Sequence, residues 1–152
     1  MQILTIRFSA LEMRLLEVLH SIQIVSKGLS PLCRLCLVHE LGEIDACERR
    51  PGYLVVGNEY GKDREERLSM RLSRFDSSML RRISARFGIK ESSLARQAIV
   101  HIAPIVMKSW VDPGSKRYFR VTDFEEAADT VARYMSSKEW VALRNNQCPK
   151  QL

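Results

Sequence analysis

The chain has 152 residues, of which 45% are apolar, and a formal net charge of +6. This length allows one ordinary domain or two very small ones, and the apolar fraction argues against a disordered chain. No run of about 18 apolar residues occurs, so we expect no membrane-spanning helix. Charged side chains interrupt the first 22 residues, so we also expect no secretory signal peptide and a cytoplasmic location.

The positive charge is concentrated in one part of the sequence. Residues 62–120 hold 14 basic and 6 acidic side chains, a net charge of +8, and the rest of the chain is close to neutral. A local basic surface attracts polyanions, and nucleic acid is the first candidate. A solvated basic face that binds nothing would have the same composition, so the charge alone leaves the function open.

The first predicted elements are a strand and two helices. Residues 2–9 (QILTIRFS) alternate as a strand does, with Leu4, Ile6 and Phe8 on one face and Ile3, Thr5 and Arg7 on the other. Residues 11–19 form the first predicted helix, and residues 30–41 form the second. The segment 47–66 contains proline, three glycines and a charged end, which is typical of a connector; residues 53–56 are predicted to form a short strand within it.

The same elements are predicted again over residues 67–104. RLSMRLS (67–73) alternates with its apolar side chains on one face and its arginines and serines on the other. A helix follows to residue 87, with Asp76 or Ser77 as its predicted N-cap and Gly88 as its stop. A second helix is predicted from Ser92, and Pro104 is expected to end or kink it.

The two strand-helix-helix segments are copies of one repeat. TIRFS (5–9) aligns with SMRLS (69–73), so that Arg7 matches Arg71 and Ser9 matches Ser73. SPLCRLCLVHEL (30–41) aligns in the same way with SSLARQAIVHIA (92–103). A lone strand leaves both of its edges unpaired, so we expect the two strands to pair antiparallel with each other. Beyond the repeat, residues 122–145 are predicted to be helical, with Thr122 and Glu125 as a capping box.

The second copy resembles the ribbon-helix-helix family of DNA-binding proteins, the Arc, MetJ and CopG type. The similarity lies in the strand RLSMRLS and in GIKESSLARQAIV (88–100), which has the turn glycine, the polar helix start, Leu94, Arg96 and a small apolar pair. It covers residues 67–104, extends to residues 2–44 only through the repeat, and does not include the connector or the C-terminal region.

The resemblance implies an α+β, mostly helical fold: a tandem pseudodimer in which a two-stranded antiparallel ribbon packs on four helices, with extra C-terminal helices. The expected divisions are a first copy (1–46), a connector (47–66), a second copy (67–110) and a C-terminal helical extension (111–152) packed on or beside the core. We expect a monomer in solution that associates further on DNA. The alternative architecture is a homodimer that uses only the second copy.

The resemblance also implies that the polar face of the ribbon reads bases in the major groove of duplex DNA. The base-reading residues implied are Arg67, Ser69 and Arg71 in the second copy, and Thr5 and Arg7 in the first. Ile3 occupies the position of Arg67 and departs from this pattern, which suggests an asymmetric reader. Contact between Ile3 and a thymine methyl group, and an exposed or pairing role for Ile3, both remain open.

The start of the second helix in each copy is expected to bind a phosphate through its free N–H groups and dipole. The implied phosphate-binding residues are Lys90, Ser92 and Ser93 in the second copy, and Lys27 and Ser30 in the first.

The predicted function is therefore sequence-specific binding of double-stranded DNA. Such a protein would serve as a transcriptional regulator or as an accessory protein that binds a plasmid or conjugative-transfer origin, associated with the bacterial nucleoid or a plasmid. One alternative is an antitoxin-like or other protein-interaction module that binds a protein partner through the C-terminal helices. Another is a nonspecific architectural DNA binder, which loses affinity as the salt concentration rises and discriminates little between sequences.

Cysteines and histidines offer other interpretations, which we consider weaker. Cys33, Cys36 and Cys47 suggest zinc, but Cys33 and Cys36 align with alanines on the apolar stripe of the second copy, so small packing residues are the simpler explanation. His39 and His101 occupy equivalent positions in the repeat. They could form a pair, act as a pH sensor or be ordinary helix residues. We expect no metal, no cofactor and no enzymatic activity.

Overall fold

A computed structural model describes residues 2–22, 27–56 and 65–110, together with the isolated residues 129, 132, 133 and 136. The elements are, in chain order, β1 (Gln2–Phe8), α1 (Ala10–Ile22), α2 (Leu29–Asp45), β2 (Glu66–Leu72), α3 (Arg74–Phe87) and α4 (Glu91–Trp110). The predicted class is confirmed: the fold is α+β and mostly helical, with one two-stranded antiparallel sheet. The predicted C-terminal helices lie almost entirely outside the described residues. No helix within the described ranges has the length and hydrophobicity needed to cross a membrane.

The two strands pair over their whole length. Thr5 lies opposite Ser69, Arg7 opposite Arg67, and Ile3 opposite Arg71. Thr5 and Ser69 are also the residues that align in the sequence repeat, so the repeat and the strand register have the same centre. The apolar face of the ribbon, which includes Leu4, Ile6, Phe8, Met70 and Leu72, is buried against the helices, as the alternation predicts.

The helices cover the strands in a crossed arrangement. Helix α2 packs mainly against β2 and helix α4 mainly against β1, and α2 and α4 pack on each other. Each strand is therefore covered by a helix from the other half of the chain. Leu37, Leu41, Leu94 and Ile99 are among the fully buried residues of this shared core. Because each strand is covered mainly by a helix of the other half, the two halves share one core.

The ends of the helices follow local hydrogen-bonding rules. Helix α1 starts with a capping box: Glu12 N–H donates to Ser9 Oγ at 3.1 Å, and Ser9 N–H donates to Glu12 Oε1 at 2.8 Å. The N-cap of α3 is Ser73, whose side chain accepts the N–H of Asp76. The predicted N-cap, Asp76 or Ser77, was therefore wrong, because the helix begins directly after the strand.

Glycine and proline behave differently in this fold. Gly88 ends α3 in the left-handed region at φ 69°, and its N–H donates to Ser84 O at 2.9 Å, so the predicted stop is confirmed. Pro104 does not end α4, which continues to Trp110, so of the two predicted effects, an end or a kink, the end does not occur. Proline removes a single backbone donor, and the helix continues on both sides of it.

The described part of the connector belongs to the core. Tyr53 and Leu54 are buried, and the buried side chain of Gln97 pairs with the backbone of Val55. The Val55 N–H donates to Gln97 Oε1 at 2.6 Å, and Gln97 Nε2 donates to Val55 O at 3.0 Å. The expected short strand at residues 53–56 does not form, because a side-chain amide from α4 takes the place of a neighbouring strand.

A buried ion pair joins the two halves. Arg96 Nη1 lies 2.5 Å from Glu12 Oε2, and the two side chains are only 5% and 2% exposed. The repeat places Arg34 at the position of Arg96 and Asp76 at the position of Glu12. Arg34 is instead exposed and donates from Nη1 to the Arg71 carbonyl oxygen at 3.4 Å. The two halves therefore share an architecture but differ in where they place an equivalent arginine.

Candidate nucleic-acid interface

The outer face of the ribbon is the surface on which the predicted base-reading residues lie. The side chains exposed on this face are Ile3, Thr5, Arg7, Arg67, Ser69 and Arg71. The period of two along each strand produces this face, because the alternate residues are held in the core. The structure therefore brings all five predicted readers together on one exposed surface, along with Ile3.

The face has a polar centre and two different ends. At the centre, Thr5 Oγ1 and Ser69 Oγ are 2.9 Å apart and share a hydrogen bond. At one end Arg7 lies opposite Arg67, and at the other end Ile3 lies opposite Arg71. Like charges that face each other across a ladder are destabilising. A bound anion or an acceptor-rich surface would relieve the repulsion between Arg7 and Arg67.

The first turn of α2 flanks the end of the ribbon that contains Ile3. Ser30 Oγ donates to the Ser69 carbonyl oxygen at 2.5 Å, which fixes the helix against β2. Arg34, one turn further on, donates to the Arg71 carbonyl oxygen. Between the helix and the ribbon lies an open groove of about 420 Å³. Arg34 was not among the site residues predicted from the sequence, although its position one turn after Ser30 is a usable signal.

The predicted phosphate-binding residues lie at the starts of the two second helices. Lys90 is exposed and directly precedes α4, and Ser92 is exposed in the first turn of that helix. Ser93 is half-buried and accepts a hydrogen bond from Gln97 Nε2 at 3.1 Å. Lys27 is exposed two residues before α2. Ser30 is half-buried, and its hydroxyl proton is already used within the protein.

The two helix starts also differ in charge. Helix α4 has an acidic residue, Glu91, in its first turn, and α2 has none. A carboxylate at a helix N-terminus competes with an external anion for the positive end of the dipole. The start of α2, beside Lys27 and Arg34, is therefore the more favourable of the two for a phosphate.

Two of the cysteines, Cys33 and Cys36, are packed in the core. Cys33 and Cys36 are buried and free, as the repeat predicts. Burial raises the pKa of the Cys33 thiol to about 12 and that of Cys36 to about 11, so both stay protonated at neutral pH. Within the described ranges, no group of three or more histidine, cysteine or carboxylate side chains could hold a metal ion. Cys148 lies outside those ranges.

The equivalent histidines have different environments. The His101 ring stacks on Tyr53 with ring centroids 3.6 Å apart, and the Tyr53 hydroxyl donates to Glu40 Oε1 at 2.8 Å. His39 is exposed, and its Nδ1 lies 3.9 Å from Glu40 Oε2. Burial lowers the pKa of His101 to about 4 and raises the pKa of the Glu40 carboxyl group. His101 is thus a neutral, packed residue, and His39 is the more exposed of the two histidines.

Comparison with known proteins gives no significant match, whether to protein-family models, to curated proteins or to solved structures.

Proposed function

We propose that this chain binds double-stranded DNA sequence-specifically by inserting its ribbon into the major groove. It would act as a transcriptional regulator or as an accessory protein that binds a plasmid or conjugative-transfer origin. The observation that carries the proposal is the outer face of the ribbon, where three arginines and a hydrogen-bonded pair of hydroxyls are exposed together.

The dimensions and chemistry of this face suit the major groove. The groove is about 12 Å wide and admits a two-stranded ribbon, whose strands are about 4.8 Å apart. Arginine can donate two hydrogen bonds to guanine O6 and N7, and serine and threonine can bond to any base. Arg7 and Arg67 at one end, and Arg71 at the other, would read guanines on either side of the central hydroxyl pair.

The architecture we propose is a tandem ribbon-helix-helix pseudodimer. Two observations support it: the repeat-equivalent residues Thr5 and Ser69 face each other in the ladder, and each strand is covered by a helix of the other half. Both features are expected when a symmetric dimer becomes a single chain. A pseudodimer should be monomeric in solution, and a stable dimer detected by light scattering would contradict this architecture.

Positioning on the DNA backbone falls to the two helix starts. Lys27 and Arg34 at α2, and Lys90 and Ser92 at α4, would contact phosphates on either side of the groove. Phosphate contacts fix the register of a protein on the duplex, and base contacts determine which sequence it prefers.

The test begins with selection of bound duplexes from a randomised pool at about 0.15 M salt, where the nonspecific electrostatic contribution is reduced. An enriched motif supports the proposal. Recovery without enrichment would favour the architectural binder, and no recovery would favour the protein-interaction module.

Variants then separate the roles on the selected duplex. Arg71→Ala should weaken binding by about 1–3 kcal/mol and relax the preference at one position. Lys90→Ala should weaken binding to all sequences alike. Arg82→Ala is the matched control. Arg82 lies on α3, and its Nη2 pairs at 2.8 Å with Oδ2 of Asp45, the last residue of α2, at the end of that helix remote from the ribbon. An unchanged sequence preference in Arg71→Ala would mean that the ribbon is not the reader.

A further inference from the structure

An isoleucine stands where the ribbon would be expected to carry a polar reader. Ile3 is 66% exposed on the outer face, opposite Arg71. The repeat-equivalent residue on the other strand is Arg67. A large apolar side chain that is mostly exposed gains little from burial in the folded chain, so packing within the protein does not by itself explain this residue.

Ile3 is part of the groove between the ribbon and the first turn of α2. The groove has an apolar side formed by Ile3 and Pro31, and a polar side formed by Ser30, Arg34 and Arg71. Pro31 is exposed like Ile3, and the hydrogen bond from Arg34 to the Arg71 carbonyl oxygen holds the polar side in place. An apolar surface thus lies directly beside two guanidinium groups.

A single chemical group on base edges in the major groove matches the apolar side. Apart from small C–H groups, these edges consist of donors and acceptors, and the C5-methyl group of thymine is the one sizeable apolar group. 5-Methylcytosine presents the same methyl group at the same carbon. The neighbouring Arg34 and Arg71 match the phosphates and acceptor atoms that surround such a methyl group in a duplex.

We propose that this groove is a subsite for the C5-methyl group of a pyrimidine in duplex DNA. Ile3 supplies the contact surface, and Arg34 holds the adjoining phosphate. The inference rests on the proposed function and deepens it, because it names the chemical group that one end of the ribbon recognises. The other end, with Arg7 opposite Arg67, has no equivalent apolar surface among its outward residues.

The experiment uses the full chain and a duplex with the selected motif. Each thymine is replaced in turn by deoxyuridine, which removes the methyl group alone, and affinity is measured for the wild type, Ile3→Ser and Ile105→Ser. Ile105 is the matched control, an exposed isoleucine in the C-terminal part of α4. One replacement should lower the wild-type affinity about four-fold, the effect of one buried methyl group. The same replacement should have no effect in Ile3→Ser and its full effect in Ile105→Ser.

Two further arms identify the source of the methyl group and the role of the side chain. At the sensitive position, the affinity for a duplex with cytosine is compared with the affinity for the same duplex with 5-methylcytosine. If methylation raises the affinity as much as the methyl group of thymine does, the methyl group itself is read. If methylation does not raise the affinity, thymine is the source of the methyl group. Ile3→Arg, which copies Arg67 of the other strand, should change the preferred base at that position to guanine.

The possible failures are distinguishable. If the wild type binds sequence-specifically but Ile3→Ser remains as sensitive as the wild type to removal of each methyl group, the subsite is overturned and the proposed function stands. Absence of any sequence preference in the wild type would overturn both. Circular dichroism of Ile3→Ser should match the wild type, since the residue is exposed.

Discussion

Replacing Glu12 with glutamine tests how the two halves are held together. Glu12 and Arg96 form a buried ion pair at 2.5 Å between α1 of the first half and α4 of the second. Glutamine has nearly the same shape and can still serve as the last residue of the capping box with Ser9. Glu12→Gln therefore removes the negative charge and leaves the start of α1 formed.

The expected loss of stability follows from the burial of both side chains, which are 2% and 5% exposed. Removing one member of a buried pair leaves a charge in a poorly solvated site, at a cost of about 3–5 kcal/mol. A domain of this size has a total free energy of unfolding of about 5–15 kcal/mol. At about 2–4 °C per kcal/mol for a chain of this length, the melting temperature should fall by roughly 6–20 °C.

Urea unfolding followed by circular dichroism measures this change, and Glu17→Gln is its control. Glu17 lies on the same helix and pairs with Arg14 at 3.9 Å, but both side chains are more than half exposed. An exposed pair contributes about 0–1 kcal/mol, so the control should remain within this range. In the double variant with Arg96→Met, the loss should be smaller than the sum of the two single losses, because neither charge is left alone.

A free energy of unfolding of Glu12→Gln within about 0.5 kcal/mol of the wild-type value would refute the predicted role of the ion pair, because it is well below the cost of leaving one charge of a buried pair. Strict additivity in the double variant would also count against it, since the two side chains would then be energetically independent.

Two further predictions concern the side chains that contact the connector. Gln97→Leu should destabilise the fold by about 2 kcal/mol, because it leaves the N–H and C=O groups of Val55 unsatisfied. Proteolysis within residues 50–56 should become faster as well. Unchanged urea unfolding would contradict this prediction. His101 should destabilise the fold as pH falls from about 6.5 towards 4, because its pKa is about 4 in the folded chain and the unfolded chain takes up the proton first. The raised pKa of Glu40 acts in the opposite sense, since the folded chain then binds its proton more readily. His101→Gln should therefore lose less stability than the wild type over this pH range, and identical pH profiles would contradict the assignment.

Much of the fold could be predicted because it depends on short-range periodicity. Alternation along seven residues fixes which side of each strand is buried, and so placed Arg71 and the other predicted readers on the exposed face. Three- and four-residue spacing fixed the helices, and Gly88 marked an end because its left-handed conformation favours glycine. The antiparallel pairing followed from the repeat, since a single strand has no partner of its own.

The failed strand at residues 53–56 and the missed side-chain roles have a common physical cause, which is dependence on residues far away in sequence. Gln97 pairs with Val55, and its role in holding the connector arises only when the chain is folded. Arg34 and Arg96 are equivalent in the repeat, yet one reaches the ribbon and the other is buried against Glu12. Neither periodicity nor alignment indicates which of two equivalent side chains will turn inward.

Both strands of the ribbon belong to one polypeptide, and this has a consequence for the information that the ribbon can carry. In a ribbon made from two identical chains, every substitution changes two symmetry-related positions at once. Here each outward position varies independently, and the contrast between Ile3 and Arg67 is one such difference. A target read by this face would have a left and a right, and the bound chain would point one way along the genome. Anything that it recruits would then be delivered to one side of the site.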